Sequence, residues 1–139
     1  MYKDILVTLD ATKADRTILD HVVRLAGFCG SQVTLLHVAD GWAARTYGAD
    51  AVSGEIDEDR AYLAQVKSEL ESHGIRTQTH LAFGDPATEI IKYVREQGCD
   101  LIAMSTHGHR LLGDLFLGTA ANTVRHEVEV PVLLLRAKY

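Results

Sequence analysis

Apolar positions along this chain switch between two periods. Short unbroken apolar runs recur at residues 5–9, 33–38, 101–104 and 130–135. That is the signature of strands buried on both faces. A weaker run over residues 75–83 alternates Thr77, Thr79 and Leu81 with polar neighbours and predicts an edge strand. Between the runs the spacing lengthens to that of a helix. Ile18, Val22, Leu25 and Ala26 form one stripe behind Thr12 and Asp15, which read as a variant capping box. Leu63, Val66 and Leu70 predict a second helix over residues 55–73, stopped by Gly74. Its charges, including Glu58, Asp59, Lys67 and Glu69, read as a solvated face. Asp85 as N-cap and Pro86 in the first turn open a third helix that ends near Gly98. A fourth opens near Gly118 and Thr119 and carries Ala120, Ala121 and Val124.

The order is β-α-β-α-β-α-β-α-β, which predicts an α/β fold: an open five-stranded parallel sheet with helices on both faces, Rossmann-like. No linker or internal repeat divides the chain, so residues 1–139 read as a single domain. The longest irregular stretch, residues 40–53, holds Trp42 and Tyr47, which either lid a site or pad the surface.

Charge narrows the classes of partner. Lys+Arg 14 against Asp+Glu 19 gives a net charge of -5. Coating a nucleic acid demands a dense positive face, so a nucleic-acid partner is excluded, while one small anion at a local site is not. No apolar stretch approaches the roughly 20 residues needed to span a membrane, and the N-terminus lacks a signal-peptide core. Cys29 and Cys99 stand far apart with no CxxC, which fits a reduced cytoplasmic setting.

In open parallel sheets, ligands bind beyond the carboxyl ends of the strands. Asp10 follows the first strand, and the richest segment runs over residues 104–119 after the fourth. It contains Gly108, Gly113 and Gly118, whose missing side chains let backbone amides approach a ligand. Helix amides opening at Gly118 and Thr119 favour an anion, and His107, His109 and Arg110 add donors. Over residues 105–126 the fixed charges are Arg110 and Arg125 against Asp114, a local positive balance inside an acidic chain. This composition suits a di- or triphosphate. Taken alone, Asp10 reads as an Asx turn or helix cap, and His107 and His109 are equally exposed loop residues. His37, inside an apolar strand, reads as a packed core histidine, and His21, His73, His80 and His126 form no metal-like cluster.

The sequence Ser105-x2-Gly108-x9-Gly118-Thr119 follows the spacing Gly-x2-Gly-x9-Gly-(Ser/Thr). With residues 5–10, Leu35-Leu36-His37-Val38, Gly84-Asp85-Pro86 and Val130-Pro131-Val132-Leu133-Leu134, it makes the whole chain resemble a universal stress protein of the nucleotide-binding class. The resemblance implies an adenine nucleotide alpha-hydrolase-like fold and an ATP-binding regulatory role in stress response. It places Thr8, Leu9 and Asp10 at the adenine and ribose end, Val38 against the base through its backbone, and Met104 and Ser105 near the sugar. It wraps Gly108, His109 and Arg110 around the phosphates and caps them with Gly118, Thr119 and Ala120. ATP, or ADP or AMP, would be the ligand, with magnesium or manganese held mostly by the phosphates. Ser105 departs from the motif, which has glycine there.

The last strand is nearly all apolar and reads as a sheet edge needing cover. With the resemblance, it predicts a homodimer through Val130, Val132, Leu133, Leu134 and Leu135. Enzyme motifs are missing: no Ser-Gly-Gly loop or Gly-x-Gly-x-x-Gly follows the first strand, and Asp114 and Leu115 replace the Lys-(Ser/Thr) of a Walker A loop after Gly113. At most a slow ATPase is expected. The competing reading is a dimeric interaction module of the same fold that binds no nucleotide, favoured by Ser105.

Overall fold

The computed structural model describes residues 1–39, 49–106 and 114–138, with side chains for all of these except 49–53 and 114–119. Five strands alternate with four helices. They are β1 (Asp4–Leu9), α1 (Asp15–Cys29), β2 (Gln32–Ala39), α2 (Ala49–Ser72), β3 (Thr77–Phe83), α3 (Pro86–Gln97), β4 (Leu101–Thr106), α4 (Asp114–Glu127) and β5 (Val132–Arg136). The strands lie in the order β3-β2-β1-β4-β5 and every pairing is parallel. Val7 at the centre of β1 sits between Leu35 of β2 and Ala103 of β4.

Side chains alternate across this sheet and divide the core in two. Ile5, Val7, Leu9, Leu35 and Ala103 face α1 and α2, meeting Ile18, Val22, Leu63 and Leu70. Leu6, Leu36, Val38, Ile102 and Met104 face α3 and α4, meeting Ile90, Ile91, Ala121 and Val124. Both faces of β1 and β4 are therefore apolar, which is why their sequences are unbroken hydrophobic runs. At the amino end of β1 the Asp100 carboxylate accepts the Lys3 and Asp4 amides at 2.8 and 3.0 Å, fixing where β1 starts beside β4.

Several boundaries follow the local chemistry anticipated above. Asp85 caps α3, accepting the Thr88 amide at 3.0 Å and its hydroxyl at 2.8 Å, with Pro86 in the first turn. Gly74, at φ 81, ends α2 in the left-handed conformation glycine permits. β3 and β5 are the two edges, as their patterns imply.

Other boundaries shift. α2 begins at Ala49, so residues 49–53 are helical rather than irregular, while Trp42 and Tyr47 lie outside the described residues. β4 runs to Thr106, which makes Ser105 a strand residue. α4 opens at Asp114, four residues before Gly118, so Gly118 and Thr119 sit one turn inside the helix rather than at its opening. Thr12 lies two residues before the cap position of α1, and its hydroxyl accepts the Ala14 amide at 3.2 Å. The helix starts at Asp15 behind Ala14, which makes no side-chain cap.

Candidate functional site

Chain order reverses between β1 and β4: β2 and β3 lie to one side of β1, β4 and β5 to the other. The helices that follow β1 and β4 pack on opposite faces of the sheet, so the carboxyl ends of these two strands are the switch point, the usual ligand position in such sheets. Thr8, Leu9 and Asp10 reach it from β1, Met104 and Ser105 from β4, and Val38 from β2. Gly108, His109 and Arg110, together with His107, lie outside the described residues.

The side chains brought to this end have different uses. Leu9 and Met104 are buried in opposite cores, so each offers a ligand its backbone and little else. Val38 is buried on the α3 face, and Ala120 packs beside it in the same core. Thr8 shares that face with Leu6. Its hydroxyl is buried and has no hydrogen-bond partner among the described residues. An unpaired buried hydroxyl costs about 1–3 kcal/mol, so a polar ligand atom beside it would recover much of that cost.

Ser105 turns the other way, toward α1. It is fully buried, and its hydroxyl donates to the Ala14 carbonyl at 3.2 Å. Its backbone is extended within β4 and does not take the positive φ that favours glycine. The serine thus fits its position without strain and fastens the β1–α1 turn to β4.

That turn is tightly held. Ala11 takes a left-handed φ of 60°, a conformation costly for any residue with a Cβ. The Asp15 carboxylate reaches back and accepts the Asp10 and Ala11 amides, each at 2.8 Å, and the Tyr62 hydroxyl at 2.7 Å. Asp15 is 1% exposed. Burial pushes its carboxyl above the usual value, against the pull of these three donors and of His37. Burial also pushes the Tyr62 hydroxyl up, so it remains a donor. The spacing of Thr12 and Asp15 flagged a helix start. It did not signal that Asp15 would act on the residues before it, because that depends on Tyr62, 47 residues later.

His37 is the packed histidine anticipated, with a polar role added. Its Nδ1 lies 2.8 Å from the Leu9 carbonyl, and its Nε2 lies 3.5 Å from Asp59 Oδ2. Asp59 corrects the reading of α2 as carrying a purely solvated charged face, for it is 8% exposed. Its period places it on the same helix face as Leu63 and Val66, turned to the sheet. Burial raises its carboxyl above the ordinary value of 3.8, partly offset by His37. A folded-state value above the unfolded one means the folded protein holds this proton more tightly. The corresponding stability is full below the unfolded value and is lost as pH rises through the folded one. Relative to Asp59→Asn, the unaltered chain is therefore expected to be more stable near pH 4 than near pH 7, as read by denaturant unfolding at both. An equal difference at the two values would contradict this.

The remaining surfaces offer less. A polar groove of about 460 Å³ lies at the opposite, amino ends of the strands, lined by Gln32, Gln78, Tyr93, Cys99 and Asp100. Its groups are largely spent internally: Gln32 donates to Asp4, and Asp100 holds two amides. Burial pushes the Cys99 thiol up to about 11, which leaves little thiolate at neutral pH. Among the described residues no three His, Cys, Asp or Glu side chains are grouped to hold a metal ion, and no helix is long and apolar enough to cross a membrane.

The family model described as the universal stress protein family matches residues 1–136. The chain belongs to the universal stress protein family. Universal stress protein MJ0577 of Methanocaldococcus jannaschii is 27% identical over 157 residues, covering 99% of this chain and 97% of that one. Universal stress protein YxiE of Bacillus subtilis is 26% identical over 148 residues, covering 98% and 100%. The solved structure of MJ0577 superposes with a TM-score of 0.83 at 28% identity, covering 100% of this chain and 99% of that one. Two more distant members share the fold. One is a universal stress protein in complex with cAMP, with a TM-score of 0.75 at 15% identity over 99% of each chain. The other is that of Archaeoglobus fulgidus in complex with dAMP, with a TM-score of 0.71 at 22% identity over 97% and 98%. Ser105, which stands where the resembled motif has glycine, is bonded to the Ala14 carbonyl.

Proposed function

We propose that this universal stress protein binds an adenine nucleotide at the carboxyl ends of β1 and β4 and acts in stress response through nucleotide-dependent contacts with partners. The observation that carries the reading is the buried Thr8 hydroxyl, left without a partner among the described residues at the switch between β1 and β4. Two solved relatives of the same fold are complexes with cAMP and dAMP, which supports an adenosine phosphate as the class of ligand. In this reading Thr8, Leu9 and Asp10 meet the adenine and ribose, Val38 offers its backbone to the base, and Met104 and Ser105 flank the sugar. The phosphates extend toward Gly108, His109 and Arg110 and the first two turns of α4, with Gly118, Thr119 and Ala120. The helix opening that favours an anion is the first turn of α4 at Asp114, ahead of Gly118. ATP would bring its divalent metal on its own phosphate oxygens.

A homodimer through β5 is part of the proposal. Val132, Leu133, Leu134 and Leu135 are partly exposed on a strand that pairs with β4 alone among the described residues, with apolar side chains on both faces. Natural sheets seldom leave such an edge open.

The test is to purify the chain gently, denature it and identify what is released by chromatography. An adenine nucleotide is the expected result. A preparation free of nucleotide that also fails to take up ATP or AMP would reject the reading.

A further inference from the structure

The end of β1 is held at two points, by His37 of β2 and Asp15 of α1, each backed by a residue of α2. His37, which faces Asp59 of α2, meets the Leu9 carbonyl. One residue on, the Asp15 carboxylate takes the Asp10 and Ala11 amides while Tyr62 of α2 donates to it. The first grip holds the carbonyl of the Leu9–Asp10 peptide and the second holds its amide and the amide of the next, so two successive peptide groups are fixed where the chain leaves the sheet.

We infer that Asp15, locked by Tyr62, is a positioning residue of the ligand site: it sets the backbone that presents Asp10 to the nucleotide. This rests on the reading of the site given above. One oxygen of Asp15 accepts the Asp10 amide, and the other accepts both the Ala11 amide and the Tyr62 hydroxyl. Only a carboxylate supplies two acceptor oxygens at that spacing. An amide would offer one oxygen and turn an NH2 toward a backbone N–H. The grip also sustains the left-handed Ala11, which sharpens the bend immediately after Asp10. A turn that served only to start a helix would need no buried charge, because a serine or asparagine cap suffices. Here the chain keeps an aspartate almost fully enclosed and supplies a tyrosine from a distant helix to hold it. A buried charge kept at a cost to stability is more often found at a functional position than in plain scaffolding. Ser105 reinforces the arrangement, since it ties Ala14, the residue before Asp15, to β4.

Asp15→Asn and Tyr62→Phe test the inference in the full chain, with Glu71→Gln as control. Glu71 lies on the same helix but is exposed, away from the β1–α1 turn. ATP affinity is measured by calorimetry, and the Asp10 and Ala11 amides are followed in a nitrogen–proton correlation spectrum. Asp15→Asn is expected to shift both amide signals and weaken ATP binding about tenfold, a difference near 1.4 kcal/mol. Tyr62→Phe, which keeps the ring packing, is expected to shift the same signals less and weaken binding about threefold, roughly 0.6 kcal/mol. Glu71→Gln is expected to leave affinity within about twofold. Unchanged affinity in Asp15→Asn and Tyr62→Phe, or an equal loss in Glu71→Gln, overturns the inference while the nucleotide reading stands. An unaltered chain that binds no ATP overturns the nucleotide reading, and the inference with it.

Discussion

Replacing Ser105 by glycine is expected to destabilise the protein by about 2 kcal/mol and to leave its nucleotide affinity no better. The motif this sequence resembles has glycine at this position, and the competing reading expects the substitution to restore nucleotide binding. The geometry argues otherwise. Ser105 is extended within β4, buried, and bonded to the Ala14 carbonyl across 91 residues of sequence. Its removal deletes a buried hydrogen bond worth about 1 kcal/mol and strands its acceptor. A glycine inside a strand adds about 0.5–1 kcal/mol of entropic cost. The loss falls on the tether between the β1–α1 turn and β4, so the turn carrying Asp10 is loosened rather than opened. Urea denaturation and ATP titration of the same sample measure both effects. A Ser105→Gly chain that gains strong ATP binding absent from the unaltered protein would instead support the competing reading, an interaction module that has lost its nucleotide.

Leu135→Lys in β5 is expected to convert a dimer into a monomer in sedimentation velocity at micromolar concentration. β5 pairs with β4 on one side only, and its apolar side chains contribute to both cores while staying partly exposed. A lysine on such an edge is the usual natural device against strand pairing between chains. Leu135 also packs against the α1-side core, so thermal unfolding of the variant is recorded alongside. A folded monomer is the expected result. An unaltered chain that is itself monomeric at this concentration would contradict the proposed interface.

Much of the fold is legible in the apolar periods, because strands buried on both faces and amphipathic helices leave different spacings. The alternation of Ile5, Val7 and Leu9 against Leu6 is lost in a continuous run, yet the run itself signals two covered faces. Element ends are less legible. α4 opens at Asp114 rather than near the two small residues Gly118 and Thr119 that look like a start, and β4 continues through the polar Ser105 and Thr106 because the sheet pairs them with Leu135 and Arg136. The site is legible only where it is contiguous. Asp10 and the glycine-rich segment stand out by spacing. Asp59 hides among solvated charges, and Asp15 looks like an ordinary helix start. Their roles depend on His37 and Tyr62, which the fold brings to them from other elements.

The central claim is that the switch point between β1 and β4 takes an adenine nucleotide. Calorimetric titration of the purified full chain with ATP, with GTP as the counter-ligand, tests it most directly. The account predicts saturable binding of one ATP per chain with Kd below about 1 mM, tighter than roughly -4.1 kcal/mol, and weaker binding of GTP. No saturable heat with ATP up to millimolar concentration, in protein shown to carry no nucleotide already, would contradict it.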